Sequence, residues 1–304
     1  MTQVSIIGNV NADIIARPVS ALPAPGTEQA IDSIEFRAGG AGAIAALCLA
    51  ALGIRPALFG CVGNDPLGRV LLDELARAGV PVDGVAVGGD TGICIATEAA
   101  GRDRSFLIAP GSVREFSLTQ VPKLAISSRH VLVCGYFLIP ALRRGGAARL
   151  FQQVRSRGGQ TLLDTGWDPD GWPSAAKEEV CELLPWVSVF APNESEAMAL
   201  TGEGKAWHAA RALQELSGGW CIVKRGAHGS LAVGPDGAEL EVAAPEVKVI
   251  DTTGAGDAFN AGIVRAQLED LPWDQTVKFA TLLASTVVSR SSRDRYPQWL
   301  GLAG

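Results

Sequence analysis

A glycine-rich turn near the C-terminal end of the chain combines residue types that could do chemistry. Residues 251–257 read Asp-Thr-Thr-Gly-Ala-Gly-Asp, after an alternating apolar segment at 247–250 and before an Ala-, Ile- and Val-rich helical pattern that continues to about Leu268. This order predicts a strand, a loop and a helix N-terminus. Glycines let backbone N–H groups converge, and the helix dipole adds positive potential. The turn is therefore suited to an anion such as a phosphoryl group.

Asp257 lies in the same turn, although a carboxylate is not itself a phosphate ligand. Beside an anion site it fits a general base, which takes a proton from an attacking hydroxyl group while backbone amides hold the phosphoryl oxygens. The alternative is that Asp257 is only the N-cap of the following helix. The residues alone do not separate these two interpretations.

Length and composition favour one large α/β core with a small appendage. The chain has 304 residues, 47% of them hydrophobic, and a net charge of 26 − 32 = −6. This balance predicts no basic face, so we expect neither a nucleic-acid partner nor a membrane partner. With three histidines and no H-E-x-x-H motif, a metalloprotease is excluded as a class.

The cysteines and the N-terminal segment indicate a cytoplasmic protein. The six cysteines are scattered without C-x-x-C spacing, mostly in apolar runs, which predicts buried free thiols in a reducing compartment. Residues 1–7 show neither a basic region nor a signal-like apolar core. The longest apolar helical run, 41–52, is too short to cross a bilayer.

The elements that must position this turn begin with a strand and helix alternation from residue 130. Apolar strands and helices follow one another at 130–135, 147–157, 161–164, 175–183 and 187–190. Continuous apolar strands between helices predict a parallel sheet covered on both faces. Ligands are then expected at the carboxyl ends of its strands.

The N-terminal part offers polar groups directly after a first strand at residues 4–7. Asn11 and Asp13 point the same way in an extended segment, so they could bind hydroxyl groups, although an Asx-type turn would use the same residues. Gly39 and Gly40 precede a helix that ends at Gly53. They could present backbone amides to a ligand, or they could form only a flexible turn. Short strands are predicted at 13–19, 28–36, 91–98 and 104–109, with a turn at 101–103.

Further polar motifs follow predicted strands, and each has a structural alternative. Asn193 and Glu196 fit magnesium and phosphate binding or a capping motif. Lys224 or Arg225, beside Gly226 and Gly229, fits phosphate binding or a solvated basic pair. Asn64 or Asp65 is expected to cap the helix that follows. Four aromatic residues could form a stacking surface for a ring or could pack in the core: Tyr136, Phe137, Trp167 and Trp172.

Nucleotide motifs of other folds are missing from the sequence. No G-x-G-x-x-G occurs, which disfavours a dehydrogenase, and no G-x-x-x-x-G-K-[ST] occurs, which excludes a P-loop kinase.

In order along the chain, four blocks resemble the ribokinase-like (PfkB) family of carbohydrate and nucleoside kinases. They are Gly39-Gly40, the segment from Asn193 to Glu196, the segment from Gly226 to Gly229, and the run Asp-Thr-Thr-Gly-Ala-Gly-Asp-Ala-Phe that begins at Asp251. The resemblance implies a mostly parallel β-sheet between helices with a small β-sheet lid. It implies one domain over 1–304, with lid strands from about 13–37 and 91–109, often shared in a homodimer.

The resemblance also assigns roles residue by residue, with ATP and Mg²⁺ as cofactors and monovalent-cation dependence left open. Asp257 matches the base, with the amides of Gly254, Ala255 and Gly256 as the anion hole. Asn11 and Asp13, beside Gly39 and Gly40, match the residues that bind substrate hydroxyl groups. The nucleotide side comprises Asn193, Lys224, Gly226 and Gly229, with Glu196 holding Mg²⁺ through water and Asp251 beside a site for a monovalent cation such as K⁺.

Two departures from the family pattern restrict the expected substrate. Ile44 stands where many members carry Asn, which puts ribose in doubt, and Gly166 with Asp168 replaces an Asp-x-Asn-x-Arg pattern, which disfavours an acidic sugar. Residues 291–293 stand where relatives complete the cation loop. The expected function is an ATP-dependent kinase for a hydroxyl group of a small sugar. The alternatives are a nucleoside kinase of the same fold and a non-catalytic sugar-sensing module.

Overall fold

The computed structural model describes residues 3–19, 21–97, 105–143, 145–291 and 296. The strands of this part of the chain are β1 Val4–Gly8, β2 Asn11–Arg17, β3 Ser33–Gly39, β4 Ala57–Val62, β5 Val85–Val87, β6 Gly92–Thr97, β7 Ser105–Ala109, β8 His130–Cys134, β9 Gln160–Asp164, β10 Val189–Phe190, β11 Trp220–Lys224, β12 Ser230–Val233 and β13 Glu239–Val242. The helices are α1 Ala41–Ala51, α2 Pro66–Arg77, α3 Lys123–Ile126, α4 Pro140–Arg143, α5 Gly146–Arg155, α6 Ser174–Leu183, α7 Glu194–Thr201, α8 Ala206–Ser217, α9 Ala255–Leu268 and α10 Trp273–Val288.

A large sheet forms the centre of the molecule, in the order β13-β12-β11-β10-β9-β8-β1-β4-β5. Its pairs are parallel from β11 to β5, and β12 and β13 are antiparallel additions at one edge. The expected mostly parallel sheet is therefore confirmed. Because parallel strands end at the same edge, the residues that follow β1, β8, β9 and β11 meet there.

Helices cover both faces of this sheet, as continuous apolar strands require. Ile6 packs into the core under α1, α9 and α10, whereas the next residue, Ile7, packs into the core on the opposite face, with α5, α6 and α8. Helices α9 and α10 approach closely at Gly262, where a Cβ atom would lie 2.7 Å from the Cα atom of Ala280. No helix in the described part of the chain has the length and apolar character of a membrane span.

A separate four-stranded sheet, β3-β2-β6-β7, stands beside the large one. Asp13 is opposite both Arg37 and Cys94 in its register. The predicted short strands therefore pack together, which periodicity alone does not establish. The strand expected at 28–36 begins only at Ser33, because residues 28–32 have no strand partner. Residue 98, the turn at 101–103 and residue 104 lie outside the described residues.

Two predictions for the C-terminal half need correction. Residues 247–250 do not form a strand: they leave the edge strand β13 and run exposed, and Ile250 N–H donates to Val288 O rather than to the sheet. The hairpin of β12 and β13 was not anticipated. Alternation of Val247, Val249 and Ile250 resembles a strand, but residues 247–250 pair with no strand of the described structure.

The predicted cap at Asp65 allows a test of how α2 is held. Asp65 is the N-cap; its carboxylate accepts hydrogen bonds from Gly68 N at 2.8 Å and from Thr91 N at 2.7 Å. We expect Asp65→Ala to lower the free energy of unfolding by about 1–3 kcal/mol, because both donors lose their acceptor. Urea unfolding measures this, with Asn64→Ala as the exposed neighbouring control; equal stabilities of the two variants would contradict it.

Candidate active site

A buried ion pair lies at the carboxyl edge of the large sheet. Lys224, the last residue of β11, places Nζ 2.6 Å from Oδ2 of Asp164, the last residue of β9. The Nδ2 group of Asn260 on α9 donates to the same oxygen at 2.5 Å. Gly166 N donates to the other carboxylate oxygen at 3.0 Å. The strand ends and α9 are therefore joined at one point.

The glycine-rich turn leads directly into α9. Gly254 is the N-cap residue in the left-handed conformation, with φ 75°, which glycine adopts without strain. Asp257 is thus the third residue of the helix and not its N-cap, so the simple capping alternative is wrong. The Ala255 amide donates to Thr252 O at a long 3.2 Å, while the first-turn amide of Gly256 is free of an intrahelical acceptor.

Lys224 brings a positive charge to this turn. A Cβ atom on Gly256 would lie 3.3 Å from Lys224 Nζ, so the ammonium group sits against the first turn of α9. Burial alone would lower the pKa of Lys224, but the charges of Asp164, Glu196 and Asp257 raise it above its ordinary value. The side chain is therefore charged at neutral pH. Of the predicted basic pair, Lys224 enters the site, whereas Arg225 pairs outside it with Glu241 at 2.7 Å.

Asn193 and Glu196 form a reciprocal capping box at the start of α7. Asn193 N donates to Glu196 Oε2 at 2.8 Å, and Glu196 N donates to Asn193 Oδ1 at 2.9 Å. Burial and the nearby charge of Asp164 raise the pKa of Glu196 to about 7, against the opposing effect of Lys224. The motif therefore does form the capping box that was its structural alternative. It also places a carboxyl group with a raised pKa beside the ion pair of Lys224 and Asp164.

The donors at this edge fit a magnesium ion that is shared with a nucleotide. Within the described residues, no three His, Cys, Asp or Glu side chains converge to hold a metal ion by themselves. The buried Oδ1 atom of Asn260 has no hydrogen-bond partner there, and Glu196 and Asp164 add carboxylates. Oxygen donors of this kind suit Mg²⁺ bound partly through phosphates and water.

On the small sheet, a chain of side-chain hydrogen bonds orients the predicted hydroxyl-binding residues. Asn9 Nδ2 donates to Asn11 Oδ1 and Asn11 Nδ2 donates to Asp13 Oδ1, each at 2.6 Å. Asn9 Oδ1 in turn accepts from Ala41 N at 3.1 Å. Asn9 was missed, although it lies two residues before Asn11, at the same spacing as Asn11 and Asp13. The chain fixes the amide orientations and leads to Asp13 at its end.

Gly39 and Gly40 make room for these side chains. A Cβ atom on Gly39 would overlap the Asp13 carboxylate, and one on Gly40 would lie 2.6 Å from Asn11 Oδ1. The amides of Ala41 and Gly42 at the start of α1 donate to Asn9. The glycines are therefore explained by close approach to Asn11 and Asp13, which neither sequence interpretation anticipated.

Asp251, predicted beside a monovalent cation, is buried and paired. Its Oδ2 atom accepts from Arg37 Nη1 at 2.7 Å and its Oδ1 atom accepts from Thr253 N at 2.8 Å. Residues 292 and 293, from the segment expected to complete a cation loop, lie outside the described residues. Ile44, in place of the family's Asn, packs against the glycine-rich turn, with Cγ2 2.8 Å from where a Cβ atom of Gly254 would be.

The predicted nucleotide-side glycines border a short 3-10 helix, Gly226–His228. Gly226 has φ 55° and Gly229 has φ 82°, and a Cβ atom on Gly229 would lie 1.9 Å from Val242 O of β13. Packing against the hairpin therefore requires glycine at 229. His228, the last residue of this 3-10 helix, is exposed.

The predicted aromatic residues do cluster. Phe137 contacts Trp172 edge-to-face at 5.0 Å between ring centroids, and Trp172 contacts Trp167 at 6.0 Å. Trp172 is buried, whereas Trp167 is 54% exposed. Core packing thus accounts for the inner rings, and Trp167 alone presents a broad aromatic surface. Arg143 stacks 4.7 Å from the Phe137 centroid and binds Glu179 through two hydrogen bonds, a contact not foreseen.

Known proteins are similar to this chain over most of its length. A family model described as pfkB family carbohydrate kinase matches residues 1–298. Ribokinase of Haemophilus influenzae is 26% identical over 294 residues, covering 94% of this chain and 92% of that protein. Aminoimidazole riboside kinase of Salmonella typhimurium is 27% identical over 286 residues, covering 91% of this chain and 84% of the relative.

A solved structure agrees with the fold. Ribokinase of Arabidopsis thaliana, in complex with ribose and ATP, superposes with a TM-score of 0.79 at 24% identity, covering 98% of this chain and 96% of that chain. The ribokinase-like fold expected from the four sequence blocks is therefore confirmed.

The raised pKa of Glu196 predicts a pH dependence of stability. Because the folded-state pKa of about 7 lies above the ordinary 4.5, the folded state holds the proton more tightly, and stability falls as pH rises from about 4.5 to 7. Because Gln also fits this position of a capping box, Glu196→Gln should keep the helix cap. It removes the titrating carboxyl group, and with it the pH-dependent loss in the free energy of unfolding, on the order of 2 kcal/mol.

Urea unfolding from pH 5 to pH 8 measures the difference. Glu196→Gln should gain stability relative to wild type as pH rises, whereas Glu194→Gln, in the same helical turn, should keep the wild-type slope. Parallel stability profiles for Glu196→Gln and wild type would show that Glu196 titrates normally.

Proposed function

Because this chain belongs to the pfkB family of carbohydrate kinases, we propose that it transfers the γ-phosphoryl group of ATP to a hydroxyl group of a small sugar. The observation that carries this proposal is the first turn of α9. There Asp257, the glycine amides and the Lys224 ammonium group lie together at the carboxyl edge of the sheet. A base, an anion hole and a counter-charge are the groups that phosphoryl transfer to an alcohol needs.

In the proposed reaction, Asp257 is the general base. The acceptor oxygen forms a bond to the γ-phosphorus while the bond from that phosphorus to the β–γ bridging oxygen breaks, and ADP leaves with the electron pair. The proton of the acceptor hydroxyl group passes to the Asp257 carboxylate. The amides of Gly254, Ala255 and Gly256, reinforced by the α9 dipole, stabilise charge on the transferring oxygens.

Lys224 adds a fixed positive charge beside those amides. Its ion pair with Asp164 and the contact of Asn260 with the same carboxylate restrict where the ammonium group can lie. A magnesium ion bound here would supply positive charge to the nucleotide phosphates. Glu196 would hold that ion through water, and the loop at Gly226 to Gly229, with Asn193, would border the nucleotide.

The acceptor side favours a polyhydroxylated substrate. Asn11 and Asp13 present amide and carboxylate groups held by the hydrogen-bond chain from Asn9. A carboxylate that accepts from hydroxyl groups binds a sugar without requiring substrate charge. We propose that the small sheet, with strands from about 13–37 and 91–109, is the lid over this substrate.

A nucleoside kinase of the same fold is the second candidate, favoured by one observation. Trp167 exposes a broad aromatic face at the carboxyl edge of the sheet, where a base ring could stack. A sugar-sensing module is disfavoured because the glycine-rich turn and Asp257 are both intact.

The substrate test is ADP release with Mg·ATP across pentoses, hexoses, polyols and nucleosides. A hit among free sugars alone supports the proposal, and a hit that requires a base favours the nucleoside candidate. Binding of a sugar without ADP release, with the purified chain folded, would support the sensing module and overturn the kinase proposal.

Asp257→Asn tests the base assignment. We expect turnover to fall by roughly 10²–10⁴-fold, because the amide cannot accept the hydroxyl proton. Nucleotide affinity, measured by calorimetry, should stay close to that of wild type. Asp274→Asn removes a carboxylate from the first turn of α10 and is the matched control, with unchanged turnover expected. Retained activity in Asp257→Asn would reject Asp257 as the base.

We further propose that the outer face of the small sheet joins two copies of the chain. Its register aligns an apolar row across all four strands: Leu107, Ile95, Ile14 and Phe36. Leu107 is 58% exposed and Phe36 40% exposed. An apolar row of this kind on a sheet face is typical of an interface.

Light scattering tests this dimer. Wild type should have twice the chain mass, and Phe36→Asp should shift it toward the monomer because a charge would be buried at the interface. Leu282→Asp introduces the same charge at an exposed leucine of α10 and should leave the mass unchanged. A monomeric wild type would contradict the proposal.

A further inference from the structure

Arg37 connects the small sheet to the loop that precedes the anion hole. It lies on β3 opposite Asp13, on the sheet face that also carries Asn11 and Asp13. From there its Nη1 atom reaches Oδ2 of Asp251 at 2.7 Å, and the same nitrogen lies 3.6 Å from Glu35 Oε1. Arg37 and Asp251 are separated by 214 positions in sequence.

The pair is shielded from water. The Arg37 side chain is 11% exposed and that of Asp251 is 3% exposed. Burial alone would lower the pKa of Arg37, but the hydrogen bond and charge of Asp251 raise it above its ordinary value. A carboxylate this deeply buried requires a positive partner, because an unpaired buried charge is strongly unfavourable.

Stability alone does not account for this arrangement. The Nη2 atom of Arg37 is buried without a hydrogen-bond partner in the described part of the chain. A buried pair with an unsatisfied donor stabilises a fold weakly, since desolvation offsets much of its attraction. An explanation from function is therefore better supported.

Asp251 determines the course of the loop. Its second carboxylate oxygen accepts from Thr253 N, one residue before Gly254, and its own N–H donates to Val288 O at 3.1 Å. The charge that neutralises Asp251 therefore fixes the turn that aims the α9 amides.

The residues present do not fit a monovalent cation at Asp251. Both carboxylate oxygens already accept hydrogen bonds, and one of them faces a guanidinium group. A second cation on the same oxygens would have two possible effects. It would displace Arg37, leaving the guanidinium group buried without Asp251, or it would lie next to the positive charge of Arg37 and be repelled by it.

We propose that Arg37 is a positioning residue that serves as a built-in cation for Asp251, so that the anion-hole loop is ordered without K⁺ or another monovalent ion. Arg37 acts through Asp251 and the loop and does not touch the transferring group. The inference rests on the proposed kinase function only for its activity readout.

The first test is independent of any substrate. Thermal unfolding of the full chain is followed in potassium chloride and in choline chloride at equal ionic strength. Wild type should unfold at the same temperature in both salts. Arg37→Ala should be less stable in choline chloride and regain about 2 °C in potassium chloride, as expected for an ion present at several times its dissociation constant.

Arg17→Ala is the matched control. It removes a guanidinium group that pairs with Glu35 on the same sheet face, 2.9 Å away, without removing the partner of Asp251. It should show no response to K⁺. Arg37→Lys retains a positive charge and should respond less than Arg37→Ala, which keeps the test available if the alanine variant does not fold.

The second test uses turnover with the substrate found in the screen. Wild-type turnover should change less than about twofold on adding K⁺, whereas Arg37→Ala should lose about tenfold or more and recover with K⁺ or with dilute guanidinium ion. Activation of wild type by K⁺, or loss in Arg37→Ala that neither ion reverses, would overturn the inference. Failure of the kinase proposal would leave the thermal result standing.

Discussion

The buried ion pair between Lys224 and Asp164 is the interaction on which the candidate active site depends. It joins the ends of β11 and β9, and Asn260 extends it to α9. Removing one partner would leave a buried charge uncompensated, a change that typically costs 3–5 kcal/mol in proteins. The contacts of one carboxylate therefore tie α9, which carries Asp257, to the ends of two strands.

Even with this ion pair, the site has more negative than positive side chains. Asp164, Glu196 and Asp257 all act on the single ammonium group of Lys224, while burial and the charge of Asp164 raise the pKa of Glu196 to about 7. A cavity in this electrostatic state favours a ligand that brings its own cation, as a magnesium-bound nucleotide does. On the opposite side of the glycine-rich turn, Arg37 and Asp251 balance each other within the protein.

Steric constraints determine the proposed acceptor side, as charge determines the proposed nucleotide side. The hydrogen-bond chain from Asn9 to Asp13 runs directly over Gly39 and Gly40, where any side chain would collide with it. Glycine at these two positions is thus a requirement of packing between β2 and the start of α1. The result is a polar surface whose amide orientations are fixed before a substrate arrives.

The sequence by itself determined the alternation of strands and helices from residue 130 to residue 190, the glycine-rich turn before α9, a cap at Asn64 or Asp65 and the family. Each depends on residues close together in the chain, through periodicity, turn geometry or contiguous motifs. Only the tertiary structure decided that Lys224 rather than Arg225 enters the site, that Asn9 orients Asn11, and that residues 247–250 are no strand.

The pairing of Asp251 with Arg37 is the clearest case of the second kind. Nothing local to either residue specifies the other, because the contact arises only when the small sheet folds over the edge of the large one. Short-range patterns encode which elements form. Which charged side chains meet between those elements depends on how the elements pack, and that is a property of the whole chain.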